Sequence, residues 1–215
     1  VLYLRFTFFN LRRVFMYKSF IIKIIVLCLL TINTYAIEKI VLFGDSLMAG
    51  YGLPNEHHLS FILQESLQSK GHDIEVINGS VSGSTSSGGL SRANWTLSEP
   101  GIDLMILCLG ANDMLRGIKP SETKNNLEKI IQISKEKNID IILAGMIAPT
   151  SHGSEYKKKF DKIFSDLSVK YELELIAFLL DGVAMNAELN LSDGIHPNKK
   201  GCLLYTSDAA DDNTC

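Results

Sequence analysis

Short apolar runs alternate with longer amphipathic stretches along most of this chain. Lys39–Phe43 (KIVLF) is mostly apolar and stops at Gly44, as expected of a strand buried on both faces of a parallel sheet. Leu59–Lys70 brings Leu59, Ile62, Leu63 and Leu67 near helical spacing and ends at Gly71, a residue suited to the position just past a helix. Ile74–Ile77 reads as a second strand and Leu104–Leu109 (LMILCL) as a third. Pro120 opens a helix in which Leu127, Ile130 and Ile131 share one face. Ile141–Gly145 (IILAG) is a fourth strand. Glu155–Tyr171 sets Tyr156, Phe160, Ile163, Phe164 and Leu167 on one side and lysines on the other, and a weaker strand follows at Leu173–Ile176.

Strands separated by helices of this length predict an α/β fold with a parallel sheet covered on both faces. The expected architecture is a three-layer α/β/α domain of about five strands, flavodoxin-like in its winding. Ligands of such sheets bind beyond the carboxyl ends of the strands. Three polar motifs fall there. Gly44-Asp45-Ser46-Leu47 follows the first strand, Asn78-Gly79-Ser80-Val81-Ser82-Gly83 the second, and Gly110-Ala111-Asn112-Asp113 the third. A fourth, Asp193-Gly194-Ile195-His196-Pro197, lies after the last strand and can fold back over the same edge.

The first 36 residues carry Arg5, Arg12, Arg13, Lys18 and Lys23 and no acid. From Met16 the text reads MYKSFIIKIIVLCLLTINTYA, with lysines, a short apolar run and Thr34-Tyr35-Ala36. That layout predicts a secretory signal peptide over 16–36, cut after Ala36, and export to the periplasm or beyond. The apolar run falls short of the roughly 20 residues a membrane helix needs, although an uncleaved anchor is the alternative. Leu27 before Cys28 argues against a lipoprotein. Residues 1–15 precede the signal and read as an untranslated or non-native leader outside the fold.

Without residues 1–36 there remain 16 of the 21 Lys and Arg against all 24 acids, a balance near −8. No basic stripe exists to meet phosphates, so nucleic-acid binding is not expected. Cys108 inside an apolar run reads as a small buried hydrophobe, and no spacing suggests a disulfide framework or metal site. Neither metal nor cofactor is expected.

The four motifs together supply the parts of nucleophilic catalysis. Ser46 sits at a strand-to-helix turn, but a serine hydroxyl needs a base to attack. His196 can take its proton, and Asp193 can hold the other ring nitrogen and fix the tautomer. The backbone N–H groups of Ser46 and Gly83 and the side-chain amide of Asn112 can form an oxyanion hole. Gly83 suits that role because it has no Cβ to keep a substrate from the backbone. His152, after the fourth strand, is the one rival base, but it has no acid placed to orient it. Loops 114–119 and 147–156, with Met114, Leu115, Ile118 and Ile147, are expected to line an acyl pocket.

These blocks resemble, in order and over about residues 39–201, the GDSL or SGNH hydrolases. Within that superfamily the chain is most similar to the bacterial periplasmic thioesterase, lysophospholipase and arylesterase group. Ala111 departs from the glycine often found there, but the donor, Asn112, is kept. The resemblance implies the SGNH fold and cleavage of small-molecule esters or thioesters, lipid substrates included, without a cofactor. It implies the same roles for Ser46, Gly83, Asn112, Asp193 and His196. A carbohydrate O-acetylesterase would use the same triad, and a binding module would use Ser46 and Asn112 only to hold a ligand. The hydrolase domain is expected over 37–201. Residues 202–215 (CLLYTSDAADDNTC) lack a continuing apolar face and read as an atypical, non-native tail in place of a final helix.

Overall fold

The structure, a computed structural model, describes residues 37–204. Its elements in chain order are β1 (Lys39–Gly44), α1 (Ser46–Ala49), α2 (Leu59–Ser69), β2 (Glu75–Asn78), α3 (Ser86–Thr96) and β3 (Leu104–Cys108). Then come α4 (Ala111–Leu115), α5 (Pro120–Glu136), β4 (Asp140–Ala144), α6 (Ser154–Tyr171) and β5 (Glu174–Ile176). The five strands are parallel, in the order β2-β1-β3-β4-β5. The signal segment expected at 16–36 lies outside the described residues, as does the tail from 205 onward.

That strand order decides where the helices go. The chain steps outward from β1 to β2, crosses back to β3, and then moves away through β4 and β5. Right-handed crossovers put α2 on one face and α3, α5 and α6 on the other, giving three layers. The packing agrees: α3 rests on α5, α5 on α6, and α2 against β2. In-register neighbours point to one face, and there Val41, Phe43, Met105, Leu107 and Leu143 are all fully buried. Leu127, Ile130 and Ile131 of α5 and Phe160 and Leu167 of α6 close over them, also fully buried. Each side chain of this size contributes about 1.5–3 kcal/mol by leaving water.

Helix α3 has no counterpart in the periodicity. Its sequence, SSGGLSRANWT, holds weak helix formers and little amphipathic pattern. Tertiary contacts define it instead. A Cβ at Gly89 would stand 2.3 Å from Leu109 Cδ1, so the glycine lets α3 settle onto the sheet. Thr85 Oγ1 accepts the Gly88 N–H, and the Asp113 carboxylate accepts the Ser86 N–H at 2.7 Å, so the helix start is capped twice.

The carboxyl ends of β1 and β2 are tied together by Arg92 of α3. Its guanidinium lies 4.0 Å from the Phe43 ring centroid and donates to the carbonyls of Gly79 and Gly44. Residues 199–204 are helical, and Cys202 is buried. The first tail residues therefore continue a helix rather than breaking off after Gly201.

Candidate active site

Ser46 is the first residue of α1, a single turn leaving the end of β1. Asp45 caps that turn, its Oδ1 accepting the Leu47 N–H at 3.1 Å. His196 arrives from a loop 150 residues away, and its Nε2 lies 2.9 Å from Ser46 Oγ. His196 Nδ1 lies 2.7 Å from Asp193 Oδ2. With the ring proton on Nδ1 and held by that carboxylate, Nε2 is the acceptor of the serine hydroxyl.

The Asp193 loop is built locally. Asp193 Oδ1 accepts the N–H groups of Ile195 (2.9 Å) and His196 (3.0 Å), so acid and base form one folded unit. The Leu191 N–H donates to the His196 carbonyl at 2.7 Å, and Asn190 bridges Pro197. Those two N–H groups, with the His196 ring, hold the Asp193 carboxyl down to about 2. Tyr51 lies against the His196 ring at a centroid distance of 4.5 Å. Nothing in the sequence pattern singled out Tyr51.

The expected oxyanion donors gather around the serine. Gly83 has φ +77° inside the turn closed by the Ser84 N–H and Val81 carbonyl, where a type II turn calls for glycine. Arg116 Nη2 donates to the Gly83 carbonyl at 3.0 Å, fixing the peptide from outside. Asn112 Nδ2 donates one hydrogen to Asp45 Oδ2 at 3.2 Å, leaving its second hydrogen for the cavity. Among the described residues no protein acceptor takes the backbone N–H of Ser46 or Gly83. Ser46, Gly83, Asn112 and His196 line one cavity of about 500 Å³.

Asp45 and Asp113 are acids that reasoning from sequence left without a role. Asp45 is 0% exposed, and burial pushes its carboxyl up to about 6 against the pull of the Leu47 N–H, the Asn112 amide and His196. Asp113 is equally buried. It accepts from the Ser86 N–H and hydroxyl and from Thr123 Oγ1, and so fastens α4 to α3 and α5. Both stand in motifs already noted, Gly-Asp-Ser and Asn-Asp, so the residue types were visible although their burial was not.

Met114, Leu115 and Ile147 line the cavity as expected; Ile118 does not. Ile118 closes the turn after α4. Its N–H donates to the Asp113 carbonyl at 2.9 Å, and its carbonyl accepts the Tyr156 hydroxyl at 2.9 Å. The 178–185 segment adds lining that no motif announced, Phe178, Leu180 and Met185 among it. His152 packs on Tyr156 (5.2 Å between ring centroids) and is not part of the cavity wall, which removes it as a rival base. A larger cavity of about 740 Å³ opens at the amino ends of β3, β4 and β5, away from Ser46 and His196. Among the described residues no group of three or more His, Cys, Asp or Glu side chains is arranged to hold a metal ion.

Residues 42–203 match the GDSL-like Lipase/Acylhydrolase family. The chain is 34% identical to an arylesterase of Vibrio mimicus over 177 residues, covering 82% of this chain and 88% of that protein. It is 33% identical to thioesterase 1/protease 1/lysophospholipase L1 of Escherichia coli over 173 residues, 80% and 82% of the two chains. The crystal structure of the psychrotrophic esterase EstA from a Pseudoalteromonas species, inhibited by monoethylphosphonate, superposes with a TM-score of 0.77. It shares 32% identity and covers 81% of this chain and 95% of its own.

Proposed function

Since the chain belongs to the GDSL-like Lipase/Acylhydrolase family and is an ester-bond hydrolase, we propose that Ser46, His196 and Asp193 are its catalytic triad. The observation that carries this reading is the unbroken relay of 2.9 Å from Ser46 Oγ to His196 Nε2 and 2.7 Å from His196 Nδ1 to Asp193 Oδ2.

Ser46 Oγ attacks the acyl carbon while His196 Nε2 takes its proton. The carbonyl oxygen becomes an oxyanion, held by the N–H groups of Ser46 and Gly83 and by Asn112 Nδ2. When the tetrahedral intermediate collapses, His196 returns the proton to the leaving alcohol or thiol, and the acyl group stays on Ser46. Water then attacks the acyl-enzyme with His196 again as base, freeing the acid and restoring the serine. Asp193 keeps the proton on Nδ1 and stabilises the imidazolium between steps.

The substrate is a carboxylic ester or thioester with an apolar acyl chain, because Met114, Leu115, Ile147 and Phe178 make the wall beside Ser46 apolar. The protein is exported by its 16–36 segment, is cleaved after Ala36, and acts outside the cytoplasm through the domain that follows. An alkyl fluorophosphonate tests the triad directly. It should add one phosphonyl group, found by mass spectrometry on the peptide holding Ser46, with loss of aryl-ester turnover in step. Modification elsewhere, or retained turnover in Ser46→Ala, would dismiss the assignment.

A further inference from the structure

Exposed large apolar side chains are not scattered evenly over the described residues. Tyr51, Leu115, Ile147, Met185 and Ile195 come from five separate segments, all are exposed, and all stand at the wall of the cavity that holds Ser46. Five segments converging in this way gather exposed apolar side chains into a collar at one cavity, the kind of exposed patch that marks an interaction surface.

Met185 gives an independent reason to read the collar as built for contact. It is 96% exposed with φ 63°, the left-handed region that a side chain of this kind rarely adopts. It occupies the turn closed by the Asn186 N–H and Val183 carbonyl, where glycine or asparagine would rest without strain. The turn cannot relax, because Asn190 Nδ2 donates to the Val183 and Asn186 carbonyls, each at 2.7 Å. Neither burial nor backbone preference explains methionine there. An observed strain with no structural return points to function.

We propose that this collar seats the protein on a neutral lipid surface, so that an acyl chain passes from the lipid into the cavity without crossing water. The inference rests on the ester-hydrolase reading, whose cavity supplies the continuity between surface and site. The chemistry of the surface follows from charge. Beyond residue 36 the chain holds 24 acids against 16 Lys and Arg, so anionic lipid would repel it. An uncharged or zwitterionic surface leaves the apolar contact to act alone.

The test uses Ser46→Ala protein, which cannot consume lipid, sedimented with phosphatidylcholine vesicles. It should bind, with little dependence on salt. Met185→Asn should lower binding about tenfold while melting temperature holds or rises, since asparagine tolerates the left-handed turn. Val169→Asn, at an 81% exposed apolar position near the far end of α6, should bind as the parent does. Absent binding, binding unmoved by Met185→Asn, or an equal loss in Val169→Asn would overturn the proposal. So would a dimer in sedimentation that Met185→Asn dissociates, because the collar would then serve a second copy. Turnover of a soluble short-chain aryl ester by the unaltered enzyme separates the two readings: its absence would sink the catalytic reading whatever the vesicles show.

Discussion

Two aspartates flank the Ser46–His196 pair, and the protein treats them in opposite ways. Asp45 stands at the edge of the sheet, 0% exposed, and its carboxyl is pushed up to about 6. The Asp193 side chain stands on a surface loop, 37% exposed, and is held down to about 2. Donors alone do not explain the gap, because each carboxylate receives some: Leu47 and Asn112 for Asp45, and Ile195, His196 and the His196 ring for Asp193. Water decides it. Where solvent still reaches the carboxylate, two backbone N–H groups tip the balance strongly toward charge; inside the sheet, similar donors cannot offset lost hydration. The loop therefore supplies the permanent charge that steers His196, and the sheet edge supplies rigidity around Ser46.

The comparison breaks first at Asp193. Asp193→Asn keeps a side chain of the same shape but can leave the ring proton on the wrong nitrogen. It should lower kcat on an aryl ester by about 10³–10⁴, a smaller loss than His196→Ala should cause. The depressed carboxyl means that its charge also favours the folded state above pH 3.8, but solvent screens this exposed group, so the same change should lower stability in urea only modestly. A large loss of stability with a small loss of kcat would mean that the loop acid is structural.

Asn112 tests the other side of the pair. Asn112→Ala removes both a donor to the oxyanion and a donor to buried Asp45. Losing the first should cost roughly 10²–10³ in kcat with little change in KM. Losing the second should raise the Asp45 carboxyl further. Carbonyl-stretch difference spectroscopy across pH, with Asp45→Asn as the blank, would detect that shift.

The sequence was most informative where a residue's job is local or repeats with a period. The five strands and helices α2, α5 and α6 carry apolar residues at regular spacing, and their edges moved by only a residue or so. The clustering of Ser46, His196 and Asp193 was legible because Asp193 and His196 are three residues apart and Ser46 follows a strand. Helix α3 was not, because Gly89 and the Asp113 cap act through partners distant in the chain. Ile118 was misread for a related reason. Apolar character placed it in a pocket, whereas in the turn after α4 its N–H donates to the Asp113 carbonyl and its carbonyl accepts from the Tyr156 hydroxyl. The burial of Asp45 depends on sheet, helix and Asn112 at once, and no window of sequence contains all three.

The smallest effect on catalysis belongs to Asp45, and it is visible mainly in stability. A carboxyl that moves from the ordinary 3.8 to about 6 on folding holds its proton more tightly in the native state. Its contribution is therefore fully present below pH 3.8 and is lost as pH rises toward 6; above that the native state carries a buried carboxylate. At about 1.4 kcal/mol for each tenfold change in proton affinity, the burden reaches about 3 kcal/mol. Asp45→Asn removes the charge, and its amide oxygen can still accept from Leu47 or Asn112. It cannot serve both as two carboxylate oxygens do, which costs about 1 kcal/mol. The net expectation is a gain of about 1–2 kcal/mol at pH 7, with kcat within about tenfold of the parent because the Asn112 amide keeps an acceptor. Urea unfolding from pH 4 to 8 gives the sign: the advantage of Asp45→Asn over the parent should grow up to about pH 6 and then stay level. An advantage that is flat from pH 4, or that shrinks as pH rises, would mean that Asp45 is ionised in the folded protein throughout. Its difference from Asp193 would then lie in position and not in charge.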